Sequence, residues 1–484
     1  MTAETIPGIG DMPTREGDLT IEGHGIEPIP SASRYGSVNR VFTVWFTPNL
    51  VPAAFAIGLL AAADFLQVGF VTGLAGIIVG NLIGAALVGL LATMGPKTGM
   101  AQLPVARLPF GKTIVLPGLL NWLSCIGWDG VNSVFGAAAI SILTGLDFVI
   151  ALIIIVVFQG ALGIIGHEAI HSFEKWMAIV LGVMFVAVSV SIFGQASTGM
   201  ARTDGFTDLD QLGAFILWTS ITASFVLAWA LYASDYTRYL PADSSGSRIF
   251  WWTVLGLAIS AGWIEALGLL VADQASGGAV ETINDLLSGS ILAPLAMLAI
   301  GIGTVAVNAM NDYTGSLSLL AAGVRVPRVA AAAVVAVLAF FFTLYLNSGD
   351  FTTKFESYLL FVLYWVAAWA GVVVADWWKR GRKADVSMLS TFSNLAFGWQ
   401  GLVALLVGYV ASIPFQTSEY GYELASNGGI LAIFNAWSDE LHYADIAFVV
   451  GFAVSFVVYW IIGRTGSTVA EASTASESST SAAA

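Results

Sequence analysis

The sequence predicts an all-α polytopic membrane protein with twelve membrane-crossing helices, and three observations carry that prediction. Of the 484 residues, 57% are hydrophobic and 10% charged, where an average soluble domain carries about 25% charged residues. The apolar residues arrive in blocks of about 20, the length a helix needs to cross ~30 Å of hydrocarbon. The positive charges alternate between the blocks. Short segments of strict alternation, which a membrane barrel would need, do not occur.

The apolar segments run at about 40–61, 68–93, 114–143, 147–165, 174–194, 212–234, 249–272, 290–320, 329–347, 355–377, 394–413 and 444–463. Between the seventh and eighth, residues 281–287 read as a short interfacial helix. An even number of crossings puts both termini on one side. With that side cytoplasmic, sixteen of the 18 Lys and Arg residues fall inside and only Arg202 and Lys354 outside. This is a strong positive-inside bias. The expected location is a plasma membrane, such as a bacterial inner membrane, with cytoplasmic termini. Residues 1–38 and 466–484 are polar and read as disordered cytoplasmic tails.

The net charge of -14 comes largely from the N-terminal tail and outer loops, and no basic patch points to nucleic acid. Cys125 is the single cysteine, so an intrachain disulfide is impossible. Composition leaves the oligomeric state open.

Polar groups inside hydrocarbon are costly and mark candidate sites. In the first segment Pro48 and Pro52 flank Asn49. Each proline removes an N–H donor, so carbonyls lose their helical partners. The outcome is either a kink or a break that faces a solute or an ion. In the third segment Trp128 and Asn132 lie four apart on one face, beside Asp129. An indole plus a carboxamide suits a planar heterocycle bearing ring nitrogens and carbonyls, and interhelical bonding of the amide is the alternative. In the eighth segment Asn308, Asn311 and Asp312 share a face. Glu265 in the seventh is either a protonatable coupling group or a neutral, hydrogen-bonded acid.

One motif points elsewhere. His167-Glu168-Ala169-Ile170-His171 fits HExxH, which on a helix holds zinc with the glutamate as base. A membrane metalloprotease would need a third ligand, and the other histidines, His24 and His442, are distant in sequence. Glu174 would have to serve.

Several stretches together resemble one family. They are Gly25-Ile26-Glu27-Pro28-Ile29-Pro30, Trp45-Phe46-Thr47-Pro48-Asn49, Gly80-Asn81-Leu82-Ile83-Gly84, Gly95-Pro96-Lys97-Thr98-Gly99, Arg107 with Phe110-Gly111, Gly127-Trp128-Asp129-Gly130-Val131-Asn132 and Ser234-Asp235-Tyr236-Thr237-Arg238-Tyr239-Leu240-Pro241. In this order they resemble the nucleobase:cation symporter-1 family, in its purine–cytosine permease branch. His171 to Trp176 are similar to ordinary family sequence, which weakens the protease reading.

The resemblance implies a LeuT-like five-plus-five inverted repeat over residues 39–378, two additional helices in 379–465, and breaks in spans one and six. It implies import of cytosine or a purine-like base with a cation by alternating access, with no enzymatic activity and no cofactor. Allantoin, a hydantoin, thiamine or a pyridoxine-like ring are the alternative substrates. Trp128 and Trp229 become the aromatic pair around the base. Asn132 and Asn311 become the amides that read its edge, Thr47 a hydroxyl from the break, and Asn308 an auxiliary. Sodium-coupled members use carbonyls of span one, here Thr47 and Leu50, and hydroxyls of span eight. The matching span-eight positions, Gly303, Ala306 and Val307, have none. The expectation is therefore a proton, with Asp129, Glu265 and Asp312 as coupling candidates.

Overall fold

With no water in hydrocarbon, a spanning segment must close its backbone hydrogen bonds internally, and all twelve apolar segments are helical. The computed structural model describes residues 26–165, 167–192, 204–206, 208–275, 277–324, 328–386, 389–418 and 437–465. The first segment is split into α1 (Arg40–Phe46) and α2 (Pro52–Leu60). Then follow α3 (Phe70–Ala92), the short α4 (Met94–Thr98) and α5 (Gln102–Phe110), α6 (Val115–Thr144), α7 (Phe148–Ile165) and α8 (His167–Ile192). The second half runs through α9 (Leu209–Leu227), α10 (Ala233–Thr237), α11 (Gly246–Val271), α12 (Ala279–Leu286), α13 (Leu292–Ala321), α14 (Arg328–Asn347) and α15 (Phe351–Lys379). The chain closes with α16 (Trp399–Ser412) and α17 (Ala447–Ile462).

Six helical stretches among the described residues are long and apolar enough to cross a bilayer alone. The α1–α2 pair passes only as a broken span, and the other five segments form shorter apolar helices. The interfacial helix expected at 281–287 is α12.

The surface is apolar, as lipid requires, and the polar side chains within the spans are gathered inside an otherwise apolar core. Ile78, Val79, Leu82 and Ile83 of α3, and Val183, Val186 and Val190 of α8, are exposed. Asn49, Asp129, Asn308, Asn311 and Asp312 are buried. The most extensive helix pair is α6 against α13, the two segments with the densest polar faces. Of the six long spans α15 is the most enclosed, with 94% of its apolar stretch buried against 50% for α3. Both α16 and α17 pack against it, so the two C-terminal helices cover a helix that would otherwise face lipid.

Two features differ from the sequence reading. Residues expected to be tail are docked from Ile26 onward: Ile29 N–H donates to Gly99 O at 2.8 Å and Tyr35 N–H to Tyr239 O at 2.7 Å. Arg107, counted as a loop charge, is fully buried. Its guanidinium donates to Ala321 O at 2.8 Å, Leu320 O at 2.9 Å, Leu389 O at 2.5 Å and Ser390 O at 3.1 Å. It thus fills the acceptors that the end of α13 leaves open, where a cation also suits the helix dipole. Residues 1–25 and 466–484, the rest of the expected tails, lie outside the described residues.

Helices α2 and α11 cross at Gly58 and Gly268. A Cβ on Gly58 would stand 2.1 Å from Glu265 O, and one on Gly268 2.2 Å from Phe55 O. Only hydrogen fits there, the close approach that small residues permit between membrane helices. Gly268→Leu should therefore abolish the monodisperse peak in detergent size-exclusion chromatography, while Gly160→Leu, where a Cβ meets nothing within 4 Å, should keep it.

Candidate functional site

The break in the first span organises the site. Helices α1 and α2 diverge by 63° across Thr47–Asn49, a 3₁₀ turn containing Pro48. Pro52 opens α2 at its first position, where a missing N–H costs nothing. Asn49, fully buried, stitches the gap. Its Nδ2 donates to Trp45 O at 2.7 Å and to Ser260 Oγ at 3.1 Å. Its Oδ1 accepts Trp229 Nε1 at 3.0 Å. One carboxamide thus satisfies a carbonyl at the break and fixes an indole of the sixth span.

That span behaves differently from expectation. Between α9 and α10 it tightens into a 3₁₀ segment, Ala228–Tyr232, and Leu209–Thr237 continues as one helical stretch. Without proline or glycine, the segment keeps its hydrogen bonds by overwinding. The break expected in span six is a change of pitch.

Around these elements lies a cavity with about 370 Å³ of space between atoms, lined by Pro48, Val51, Trp128, Asn132, Phe225, Ala228, Trp229, Tyr232, Val307 and Asn311. Trp128 is held by edge contacts with Phe225, centroids 5.8 Å apart, and Tyr358 at 5.3 Å. Trp229 packs edge-on against Trp45 at 6.0 Å and Tyr232 at 5.2 Å. The lining is aromatic and aliphatic, with Asn132, Asn311 and the Tyr232 hydroxyl as its polar groups. No hydrogen bond engages the Asn132 carboxamide among the described residues, whereas Asn311 is held on both sides. Tyr232 OH donates to Asn311 Oδ1 at 3.1 Å, and Asn311 Nδ2 donates to Asp129 Oδ1 at 3.0 Å. Such a cavity suits a flat, neutral ring with polar edges.

Behind Asn311 the polar groups continue inward. Gln159 Nε2 lies 2.9 Å from Asp129 Oδ2 and 3.1 Å from Asp312 Oδ2. Asn308 Nδ2 donates to Gln159 Oε1 at 2.9 Å and to Ser133 Oγ at 3.0 Å. A second space of about 240 Å³ adjoins the first and shares Val51, Asn132 and Val307 with it. Thr304, which also lines it, places its hydroxyl 3.4 Å from Asn132 O.

Trp128, Asn132, Trp229 and Asn311, the residues that the family resemblance singles out, all line one cavity. Thr47 is not part of the lining; the tight turn, at about three residues per revolution, presents Pro48 instead. The Thr47 carbonyl accepts Leu50 N–H at 3.1 Å. Leu50 is buried beside the break and lines neither space. Asn308 is a buried support for Gln159. Glu265 stands apart, accepting Asn81 Nδ2 at 2.5 Å between α3 and α11. Of the span-eight cation positions, Gly303 and Val307 line the second space, and Ala306 is buried without a hydroxyl to offer.

Sequence reading missed Gln159 and Tyr232. Gln159 was legible as the one polar side chain in α7, by the rule already applied to the asparagines. Tyr232 carried no such signal, because tyrosine is common in spanning helices. His167 and His171 lie on the backbone of α8, but the side chains of this HExxH stretch fall outside the described residues. Among the described residues no three His, Cys, Asp or Glu side chains form a metal-binding group.

Residues 28–436 match the profile of a family described as permease for cytosine/purines, uracil, thiamine, allantoin. The purine-cytosine permease fcyB of Emericella nidulans is 27% identical over 456 residues, covering 84% of this chain and 86% of that protein. The putative purine-cytosine permease YxlA of Bacillus subtilis is 25% identical over 465 residues, covering 92% and 96%. Among solved structures, Mhp1, a nucleobase-cation-symport-1 family transporter in a closed conformation with bromovinylhydantoin bound, superposes with a TM-score of 0.71. That match has 16% identity and covers 92% of this chain and 95% of the other. It establishes the LeuT-like fold.

Asn49→Ala would leave Trp229 Nε1 and Trp45 O without these partners. Each buried group stripped of its bond costs about 1–3 kcal/mol, so this variant should unfold at a lower temperature in detergent and lose ligand-induced quenching of tryptophan fluorescence.

Proposed function

The chain belongs to the family of permeases for cytosine/purines, uracil, thiamine and allantoin, and on that premise we propose a twelve-span secondary transporter that imports a nucleobase, cytosine or a purine, with a cation. The observation that carries this reading is the cavity that Trp128 and Trp229 line together with the carboxamides of Asn132 and Asn311. Indole faces accept any flat ring. The unengaged Asn132 carboxamide offers a donor and an acceptor side by side, as the edge of a cytosine or purine requires. A ring that failed to pair with it would leave a buried amide unsatisfied, at about 1–3 kcal/mol, and this gives the site its selectivity.

Transport proceeds by alternating access. The base enters from outside, seats against the two indoles and pairs with Asn132 and Asn311. Binding closes the outer path, and the site then opens to the cytoplasm. The substrate drives this change only through unequal affinity for the two states. The plasma membrane is the assigned location, with both termini cytoplasmic, on the distribution of sixteen of 18 positive charges.

A proton is the favoured coupling ion. Gly303, Ala306 and Val307 offer no hydroxyls, and the Thr47 carbonyl is engaged within its own turn. Asp129 and Asp312, behind the cavity, are the carboxyl groups available to carry a proton, whereas Glu265 is paired with Asn81 on another pair of helices. A second reading keeps the fold and mechanism but changes the ring to allantoin, a hydantoin, thiamine or a pyridoxine-like molecule. The bromovinylhydantoin bound to Mhp1 and the vitamin B6 transporter TPN1 of Saccharomyces cerevisiae, 22% identical over 339 residues, support it.

Counterflow in proteoliposomes separates the two readings. Preloaded unlabelled cytosine or adenine should drive entry of the labelled base, and allantoin, hydantoin or pyridoxine should not compete. Asn132→Ala should abolish saturable entry while the amount of protein in the membrane is unchanged; normal kinetics in that variant would overturn the assigned site.

A further inference from the structure

Two carboxyl groups meet behind the cavity, on facing helices. Asp129 of α6 and Asp312 of α13 both accept from the one amide of Gln159, Nε2 lying 2.9 and 3.1 Å from their Oδ2 atoms. Two ionised carboxylates that share one neutral amide donor, shielded from water, would repel strongly, and one proton on the pair relieves that repulsion.

Among the described residues nothing nearby supplies a counter-charge. The ionisable side chains that face the pair are Cys125 from α6, Tyr232 from the 3₁₀ segment and Tyr358 from α15, with Asp235 beyond Cys125. Helix α7 contributes Gln159 and has no ionisable residue. Helix α14 places the Thr343 hydroxyl on Gly130 O at 3.3 Å. No described Lys, Arg or His pairs with either aspartate.

We infer that Asp129 and Asp312 form a single proton-carrying site, bridged by Gln159 and connected to the substrate cavity through Asn311. The inference rests on the transport reading and deepens it by locating the coupling proton. With one proton on the pair, Asp129 keeps an oxygen to accept Asn311 Nδ2, and the Asn311 amide is held ready at the cavity wall. When the carboxyl O–H breaks and the proton leaves to water, two carboxylates remain. They repel, Asn311 loses its fixed partner, and the base is held less tightly. Proton and base therefore bind together and leave together. Glu265 takes no part, since it pairs with Asn81 on another helix pair. Gln159 is a positioning residue.

The test uses the full-length protein in liposomes, with the voltage clamped to zero by potassium and valinomycin, and with labelled cytosine and trapped pyranine. Under an inward gradient of one pH unit, wild-type protein should accumulate cytosine about tenfold, the limit for one proton per base. Asp129→Asn and Asp312→Asn should each move no protons with whatever cytosine they still exchange, while Glu265→Gln keeps a ratio near one. Gln159→Met should move the pH midpoint of cytosine binding by about one pH unit. Proton movement retained in both aspartate variants, or lost only in Glu265→Gln, would overturn the inference, as would an unmoved midpoint in Gln159→Met. Wild-type protein that exchanges none of the bases in counterflow would remove the transport reading itself. Wild-type exchange of cytosine without proton movement would remove this inference alone.

Discussion

A peptide carbonyl released inside hydrocarbon must find a donor from the protein, because no water is there to supply one. The rest of the site follows from how Asn49 meets that demand. Two prolines open the first span, and the carboxamide between them reaches back to Trp45 O and across to Ser260 Oγ. Its remaining acceptor takes the Trp229 indole. The same side chain therefore makes a broken helix tolerable in the membrane and sets one wall of the cavity.

The opposite wall is built by the packing of α6 on α13. Large aliphatic side chains would serve such an interface if adhesion were all it needed. It carries instead a continuous polar path from Asn311 at the cavity, through Asp129 and Gln159, to Asp312 and Asn308. Half-satisfied polar networks in low dielectric are costly. Asp312 Oδ1 and Asn308 Oδ1 still lack partners within this path.

The family match and the cavity are independent lines of argument. The first rests on residues 28–436 as a whole, the second on the side chains that line one space.

The sequence by itself determined the helices, their order and the polar faces of the third and eighth spans. Those depend on local quantities: segment length, the spacing of side chains along one helix, and where positive charges fall. It also marked Pro48, Asn49 and Pro52 as an interruption, since proline acts on its own backbone. Tertiary structure alone decided what each polar group meets. It turned Pro48 rather than Thr47 to the cavity, engaged the Thr47 carbonyl, set Glu265 against Asn81, and joined Asp129 to Asp312 through Gln159. Residues 129, 159 and 312 lie on three different helices, and no periodicity within one helix reports the rotation of its neighbours. Burial of Arg107 was likewise beyond local reading, because its acceptors come from the end of α13 and from Leu389 and Ser390, more than two hundred residues away.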